Sequence, residues 1–187
     1  MLRPIEHRFS HDKERAIRQL NYHASTKILL QVRDRFWEHE DGIVGGGATV
    51  TDLPVRRLNY PPDDPSTRRG VLLASYTWGQ DALQWGAMDE ETRIEEALDD
   101  VEQIHPRIRQ EFEIGASHAS YSDRWARGAF ALFAPEQQTQ LQSAILQAEG
   151  RVYFAGEHCS LYHAWIQGAL ESGIRAAREI NEQPATS

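Results

Sequence analysis

The sequence predicts a mixed fold of class α/β or α+β, with helices and short strands along one chain of 187 residues. Residues 27–32 and 70–76 are apolar and rich in β-forming side chains, a composition typical of buried strands. From Asp89 onwards apolar residues recur at helical spacing, with Asp89 placed to cap the helix and Pro106 to end it. Residues 151–180 then predict a strand, a polar turn and a final helix.

Shorter patterns complete this assignment. We expect a helix over 13–21, because Ser10 or Asp12 can cap it and its apolar residues share one face. The remaining predicted elements are a strand end at 36–37, an edge strand starting at 49–51, a loop or irregular strand over 57–64, a helix over 135–148, a strand over 151–154 and a helix over 166–180.

The composition limits the class of partner. With 40% hydrophobic residues the chain can bury a core, and its formal net charge is −8 with both signs scattered. Nucleic acids and anionic membrane surfaces require basic patches, so we expect neither as the main partner. The longest apolar run, at residues 70–75, is far shorter than the roughly 20 residues of a membrane helix.

A single cysteine restricts the chemistry further. Cys159 has no partner for a disulfide within the chain and cannot build a cysteine-based metal site. A nucleophilic role beside Glu157 and His158 is open, but a small packing residue is the favoured interpretation. We therefore predict no metal centre.

The end of the chain carries the most specific pattern. Gly156 allows a close approach to the backbone, and Glu157 offers a carboxylate where the predicted strand ends. The helix start near Trp165 and Ile166 presents free N–H groups and the positive end of a dipole, which suit an anionic group. Small residues along the helix, which favour tight packing, are Gly168, Ala169, Ser172, Gly173 and Ala176.

These residues resemble the C-terminal FAD signature of the flavin-containing amine oxidases. The matching features are Phe-Ala-Gly-Glu at 154–157, an aromatic residue before Gly-Ala at 165–169, and Ser-Gly-x-Arg-Ala-Ala at 172–177. The resemblance implies that residues 1–148 are the C-terminal part of a mixed-sheet substrate-binding domain with connecting helices. Residues 149–187 would be the closing strand and helix of an FAD-binding dinucleotide fold.

The resemblance also implies roles for these residues. Gly156 and Glu157 would line the ribityl-phosphate part of FAD, and the N–H groups near Trp165 and Ile166 would face the N1–C2 edge of the flavin. The Trp165 ring would form one wall of the substrate cage, and by register Phe130 would form the other. A core aromatic is the alternative for Trp165.

Lys27 opens an apolar strand and resembles the family lysine that holds a water at flavin N5; a surface lysine at a strand end is the alternative. Two positions depart from the family pattern. Ser120 stands where many members carry a tryptophan, and Ala164 replaces the commoner glycine before the cage aromatic. Both departures concern the shape of the flavin-side pocket.

Residues 51–54 (Thr-Asp-Leu-Pro) and 59–61 (Asn-Tyr-Pro) are similar to the L-amino-acid oxidase branch. In that branch a tyrosine before a proline binds the α-carboxylate of the substrate, which would make Tyr60 its counterpart. A phenol is a suitable donor to a carboxylate. A structural loop tyrosine is the competing interpretation.

The FAD fingerprint Gly-x-Gly-x-x-Gly is absent, because the glycines at 45–47 lead into a strand and not a helix. We therefore expect the N-terminal half of the enzyme as a partner, either a separate or a missing chain. The implied reaction is oxidative deamination of an L-amino acid by hydride transfer from Cα to flavin N5, with molecular oxygen as the acceptor. The alternatives are oxidation of simple amines or polyamines, amino-acid monooxygenation, and a non-catalytic structural subunit. Whether the assembled enzyme forms a homo-oligomer is left open by the sequence.

Overall fold

The computed structural model describes residues 8–62 and 66–182, and the elements within them alternate between helices and antiparallel strands. In chain order they are α1 (His11–Gln19), β1 (Tyr22–His23), β2 (Ser25–Val32), α2 (Phe36–Glu40), β3 (Gly47–Val50), β4 (Arg57–Tyr60), β5 (Gly70–Trp78), α3 (Gly79–Gly86), α4 (Glu90–Ile104), α5 (Ile108–Glu111), β6 (Phe112–Ala119), β7 (Phe130–Ala131), α6 (Gln137–Leu146), a 3-10 turn (Glu157–Cys159) and α7 (Ile166–Asn181). The predicted mixed α and β fold class is confirmed. No helix in these ranges is long and apolar enough to cross a membrane.

The chain divides into two compact units. The sheet unit is Ala24–Gly128, and the helix unit combines Met1–His23 with Ala129–Ser187. This division does not coincide with the boundary expected between residues 148 and 149, because β1 pairs with β7 and α1 packs against α6. The assignment of substrate-binding and FAD-binding domains stays a prediction.

The sheet unit is built on five antiparallel strands in the order β3-β4-β5-β2-β6. The predicted edge strand is confirmed as β3, and the predicted buried strands form β2 and β5 near the centre. Side chains alternate along β2, so that Ile28, Leu30 and Val32 are buried while Lys27 and Leu29 face away from the core. The sheet therefore has one covered face and one open face.

Helices and loops cover the buried face. The predicted helix is confirmed as α4, which Asp89 caps through a hydrogen bond from the Thr92 N–H. The prediction that Phe36 and Trp37 end the strand was wrong, since they begin the short helix α2. Both rings are buried and contact each other edge to face at 5.2 Å, so the chain turns after β2 to bring them into the core.

The helix unit packs α1 and α6 around a small core of Ala16, Leu141, Ile145 and Cys159. Of the two predicted caps Ser10 is the one that acts, because its hydroxyl accepts from the Lys13 N–H. Lys13 is itself only 1% exposed. Its Nζ donates to the carbonyls that end α6, and it lies 3.8 Å from the Phe154 ring centroid.

The predicted helix at the end of the chain is confirmed as α7, but the strand predicted over 151–154 was wrong. A single bridge between Glu149 and Val152 closes a turn at Gly150 instead. A strand needs a neighbour to satisfy its backbone, and the described residues offer none beyond this bridge. The Phe154 carbonyl accepts from Arg175 Nη2 at 3.0 Å.

Candidate functional site

The residues predicted for a site fall into two groups, one in each unit. The sheet unit holds Lys27 and Tyr60. The helix unit holds Phe130, Gly156, Glu157, Trp165 and Ile166.

Lys27 lies on the open face of the sheet, in a row with the residues opposite it on β5 and β6, Tyr76 and His118. Its Nζ lies 4.7 Å from the Tyr76 ring centroid, within the range of a cation–π contact. The Trp78 ring meets the Tyr76 ring edge to face at 5.4 Å. The lysine therefore projects from an aromatic surface.

Tyr60 is buried, with 2% of its surface exposed. Its hydroxyl lies 2.7 Å from His105 Nε2 and 2.8 Å from Thr49 Oγ1, and His105 Nδ1 lies 3.2 Å from Asp41. Burial lowers the pKa of His105, which keeps the ring neutral, although Asp41 opposes this. A neutral His105 that donates to Asp41 accepts from Tyr60, and Tyr60 then accepts from Thr49.

The Tyr60 hydroxyl is hydrogen-bonded inside the core. This environment matches the competing interpretation, in which Tyr60 is a structural tyrosine. Burial also raises the pKa of Tyr60, which keeps the phenol protonated. Contact of Tyr60 with a substrate carboxylate stays a prediction that these contacts do not support.

The residues after Thr51 form a tightly held loop. The Val55 N–H donates to Asp100 Oδ2 at 3.1 Å, and the Val55 carbonyl accepts from the Ser75 hydroxyl at 3.2 Å. The Pro54 carbonyl accepts from the Trp85 indole N–H at 3.2 Å. The stretch that is similar to the L-amino-acid oxidase branch therefore belongs to a loop anchored over the core of the sheet unit.

Ser120, one of the two departures from the family pattern, closes the ladder between β2 and β6. It is buried, its Oγ accepts from the Ser25 N–H at 2.8 Å, and its own N–H donates to the Ser25 carbonyl at 2.9 Å. A small hydroxyl at this position thus serves the backbone of the sheet.

Gly156 is held in an unusual conformation by α7. Its φ is +145°, and a Cβ there would lie 2.4 Å from the His158 ring, so only glycine fits. The Ser172 hydroxyl accepts from the Gly156 N–H at 2.9 Å and lies 2.7 Å from the Gly156 carbonyl, to which it can donate. Ser172 therefore approaches the Gly156 backbone closely, while the approach of a cofactor to Gly156 stays a prediction.

Glu157 follows in the 3-10 turn, with 13% of its side chain exposed. One carboxylate oxygen accepts from the Ala131 N–H at 2.9 Å and the other from the Ala164 N–H at 2.7 Å. Burial and the nearby negative charge of Glu157 raise the pKa of the Tyr22 phenol. The two hydrogen bonds link β7 to the turn before α7.

The start of α7 is open. No side chain caps the helix, and the side chains of Trp165 and Ile166 are 66% and 77% exposed. Ala164 adopts a φ of +64°, a left-handed conformation that explains why glycine is commoner there in the family pattern. The expected helix start at Trp165 and Ile166 is confirmed, while contact of these residues with a cofactor stays a prediction.

Phe130 lies in β7 opposite His23, with ring centroids 5.8 Å apart. It is half-buried and precedes Ala131, the residue that binds Glu157. The two predicted cage residues, Phe130 and Trp165, therefore each adjoin a residue whose N–H donates to the same carboxylate.

Cys159 has the packing role that the sequence favoured. It is buried in the core of the helix unit, and burial raises the pKa of its thiol to about 11. A thiol in that state is a poor nucleophile at neutral pH.

Other residues that hold the site were not predicted. Ser172 and Arg175 fix the backbone of Gly156 and Phe154, and Tyr22 contacts Glu157. Ser172 and Arg175 belong to the matched signature, so their presence in it was the available signal. Nothing in the local sequence around Tyr22 marks it.

An apolar stripe runs along α7, and the residues beside its start are also exposed. The exposed large hydrophobic residues are Leu161, Tyr162, Trp165, Ile166, Leu170 and Ile174. Their extent exceeds the scattered single residues that a soluble surface normally shows.

Known proteins are similar to this chain along nearly its whole length. A family model described as flavin containing amine oxidoreductase matches residues 1–181. An L-amino-acid oxidase of Siganus canaliculatus is 44% identical over 176 residues, covering 91% of this chain and 33% of that protein. The flavin-dependent L-tryptophan oxidase RebO of Lentzea aerocolonigenes is 41% identical over 181 residues, covering 91% of this chain and 37% of that protein.

A solved structure shows the same fold. The cyclohexylamine oxidase from Brevibacterium oxydans IH-35A superposes with a TM-score of 0.73 at 18% identity, over 93% of this chain and 38% of that one. The chain thus spans about a third of the length of its relatives. By its sequence match over nearly its whole length, the chain belongs to the flavin-containing amine oxidoreductase family.

Proposed function

We propose that this chain forms part of an enzyme that oxidatively deaminates an L-amino acid with a bound flavin, FAD. The observation that carries the proposal is the open start of α7 beside the glycine-specific turn at Gly156, in a chain more than 40% identical to two L-amino-acid oxidases. Family membership implies the flavin; the reaction and the substrate class are the proposal.

The residues present fit such a cofactor. The positive φ of Gly156 leaves its backbone without a Cβ at the turn before α7, and Ser172 holds that backbone in place. The first turn of α7 offers N–H groups and a positive dipole end without a side-chain cap, which suits an electron-rich heterocycle edge. Gly156, Trp165 and Ile166 would hold it through backbone groups, with Glu157 beside them.

When bound, the flavin would accept the hydride and would then be reoxidised by molecular oxygen. The chain's own residues would position the substrate and water. Trp165 and Phe130 would orient the amine between aromatic walls. Lys27 would hold a water on the open face of the sheet, where its exposed ammonium can donate hydrogen bonds beside the Tyr76 ring.

The proposal includes a further polypeptide segment, in the same or a separate chain, that carries the dinucleotide fingerprint absent here. Two features support it: the apolar stripe on α7, and the length of the relatives, of which this chain spans 33% and 37%. Such a segment would cover the stripe and complete the FAD site.

The substrate class is tested by anaerobic mixing of the flavin-loaded protein that contains this chain. Flavin absorbance should bleach with an L-amino acid and stay unchanged with its D-enantiomer. It should bleach at least tenfold more slowly with the matched amine that lacks the carboxylate, since a charge-assisted bond to that group contributes about 1.5–3 kcal/mol. Faster bleaching by the amine would contradict the proposal.

Oxidation of simple amines is the second candidate. The enclosure of Tyr60 favours it, because the predicted carboxylate anchor is bonded to His105 and Thr49. In the same experiment the amine would then be the better reductant. An amino-acid oxidase must draw its carboxylate anchor from the further segment.

A further inference from the structure

The geometry points to Glu157 as a positioning residue that fixes the two segments carrying the aromatic walls, an inference that rests on the proposed function. Its two carboxylate oxygens accept from Ala131 and Ala164, at 2.9 and 2.7 Å. Ala131 directly follows Phe130, and Ala164 directly precedes Trp165.

These hydrogen bonds are strong for their type. The acceptor is ionised, only 13% of the side chain is exposed, and both donors are backbone N–H groups without rotational freedom. The carboxylate therefore joins β7, which pairs with β1, and the turn before α7.

The turn before α7 needs such a tether. Ala164 holds a left-handed φ of +64°, a conformation that is unfavourable for an alanine. The bond from its N–H to Glu157 stabilises that conformation and with it the direction in which Trp165 leaves the turn. Because one carboxylate holds both segments, it sets the spacing of the two walls.

The hydrogen-bond partners of the Glu157 carboxylate are backbone groups. His158 Nδ1 lies 3.9 Å from the carboxylate, beyond hydrogen-bond distance, whereas the N–H groups of Ala131 and Ala164 lie within it. A glutamine keeps one acceptor oxygen but presents an NH₂ group to the second N–H. Glu157→Gln should therefore release one segment, and Glu157→Ala should release both.

Backbone amide exchange tests this directly in the flavin-loaded protein that contains this chain. We expect Glu157→Ala to speed exchange at both Ala131 and Ala164 by about tenfold or more, and Glu157→Gln to do so at one of them. Glu171→Gln, an exposed carboxylate on α7, should change neither. Unchanged protection at both amides in the Glu157 variants overturns the inference, and if Glu157→Ala fails to fold, Glu157→Gln decides alone.

Kinetics separates positioning from cofactor retention. Glu157→Gln should keep the flavin spectrum while kcat falls by about 10- to 100-fold, because misplaced walls orient the substrate poorly. Loss of flavin with both amides still protected would assign Glu157 to the cofactor alone. The exchange measurement needs no substrate, so it stands or falls independently of whether the enzyme oxidises an amino acid.

Discussion

At the scale of single residues, Asp100 shows how one buried carboxylate fixes a loop. It lies in α4 and accepts from the Val55 N–H, in a loop that resembles the amino-acid-oxidase branch. Asp100→Ala leaves that buried N–H without a partner and should lower the free energy of unfolding by about 1–3 kcal/mol. Asp100→Asn keeps an acceptor oxygen and should lose much less. Urea unfolding of the chain and both variants measures this, and equal losses would contradict the role.

The pH dependence of stability gives a second test of Asp100. Burial raises its pKa above the ordinary 3.8, so the folded state binds the proton more tightly than the unfolded state. The resulting stabilisation is complete below 3.8 and is lost as the pH rises through the raised value. Wild-type stability should therefore fall relative to Asp100→Asn across that interval and run parallel above it. A wild-type stability that rises relative to Asp100→Asn over that interval would refute the assignment.

Lys27 can be tested without disturbing the core, since its side chain faces outwards. Lys27→Met should leave the anaerobic rate of flavin reduction nearly unchanged and slow turnover by about 100-fold, the lower end of what one positioned proton-transfer group contributes. Stopped-flow reduction and steady-state peroxide release separate the two. Leu29→Met, two residues along the same face of β2, is the control and should behave as wild type. Wild-type turnover in Lys27→Met would make Lys27 a strand-end lysine.

Single residues also show which features the local sequence predicts and which it does not. The alternation along β2 predicted that Lys27 faces away from the buried residues, because strand periodicity is local. The surroundings of Tyr60 depended on Thr49 and His105, 11 and 45 positions away, and no local pattern reveals such partners. Glu157 was predicted as a cofactor residue, and its bonds to Ala131 and Ala164 depend on the same kind of distant contact.

At the scale of elements, α7 depends on two glycines with opposite surroundings. A Cβ on Gly168 would lie 2.3 Å from both the Tyr162 carbonyl oxygen and Ser160 Oγ, whereas a Cβ on Gly173 meets nothing within 4 Å. Gly168→Ala must push the preceding turn away and should cost about 1–3 kcal/mol. Gly173→Ala should stabilise the helix by about 0.5–1 kcal/mol. Thermal unfolding of the chain tests the pair, and similar melting shifts in both variants would contradict this packing.

Strands with a strong apolar pattern were predicted correctly. The prediction failed where strand formation depends on pairing with a neighbouring strand. The apolar runs that became β2 and β5 were found, while β6 was missed because its exposed and small residues form a strand only by pairing with β2. The apolar run at 151–154 is the opposite case, a predicted strand that does not form. Its composition predicted a strand, but the described residues provide no neighbouring strand for it.

At the scale of the whole molecule, each unit has a surface that the described residues of that unit do not cover. The open face of the sheet unit carries Lys27, Tyr76 and Trp78, and α7 in the helix unit carries the apolar stripe. The C-terminal signature predicted the family because its residues have specific backbone roles. Gly156 adopts a conformation that favours glycine, and Ser172 and Arg175 hydrogen-bond to the backbone of Gly156 and Phe154. The boundary between units was not predictable, since the pairing of β1 with β7 joins residues over 100 positions apart.

We propose that this chain supplies one side of a flavin site whose other side lies in a further segment. The chain's sequence contains no Gly-x-Gly-x-x-Gly unit to bind the pyrophosphate, so the helix start and Gly156 alone should hold FAD weakly. The control is the longer protein that joins this chain to the fingerprint segment, which should quench flavin fluorescence and bind tightly.

Titration of the 187-residue chain with FAD is the most direct test of this claim. We expect the flavin fluorescence and absorbance to stay those of free FAD at micromolar concentrations of chain, while the longer protein binds stoichiometrically. Sub-micromolar binding by the chain alone, with a perturbed flavin spectrum, would contradict the account.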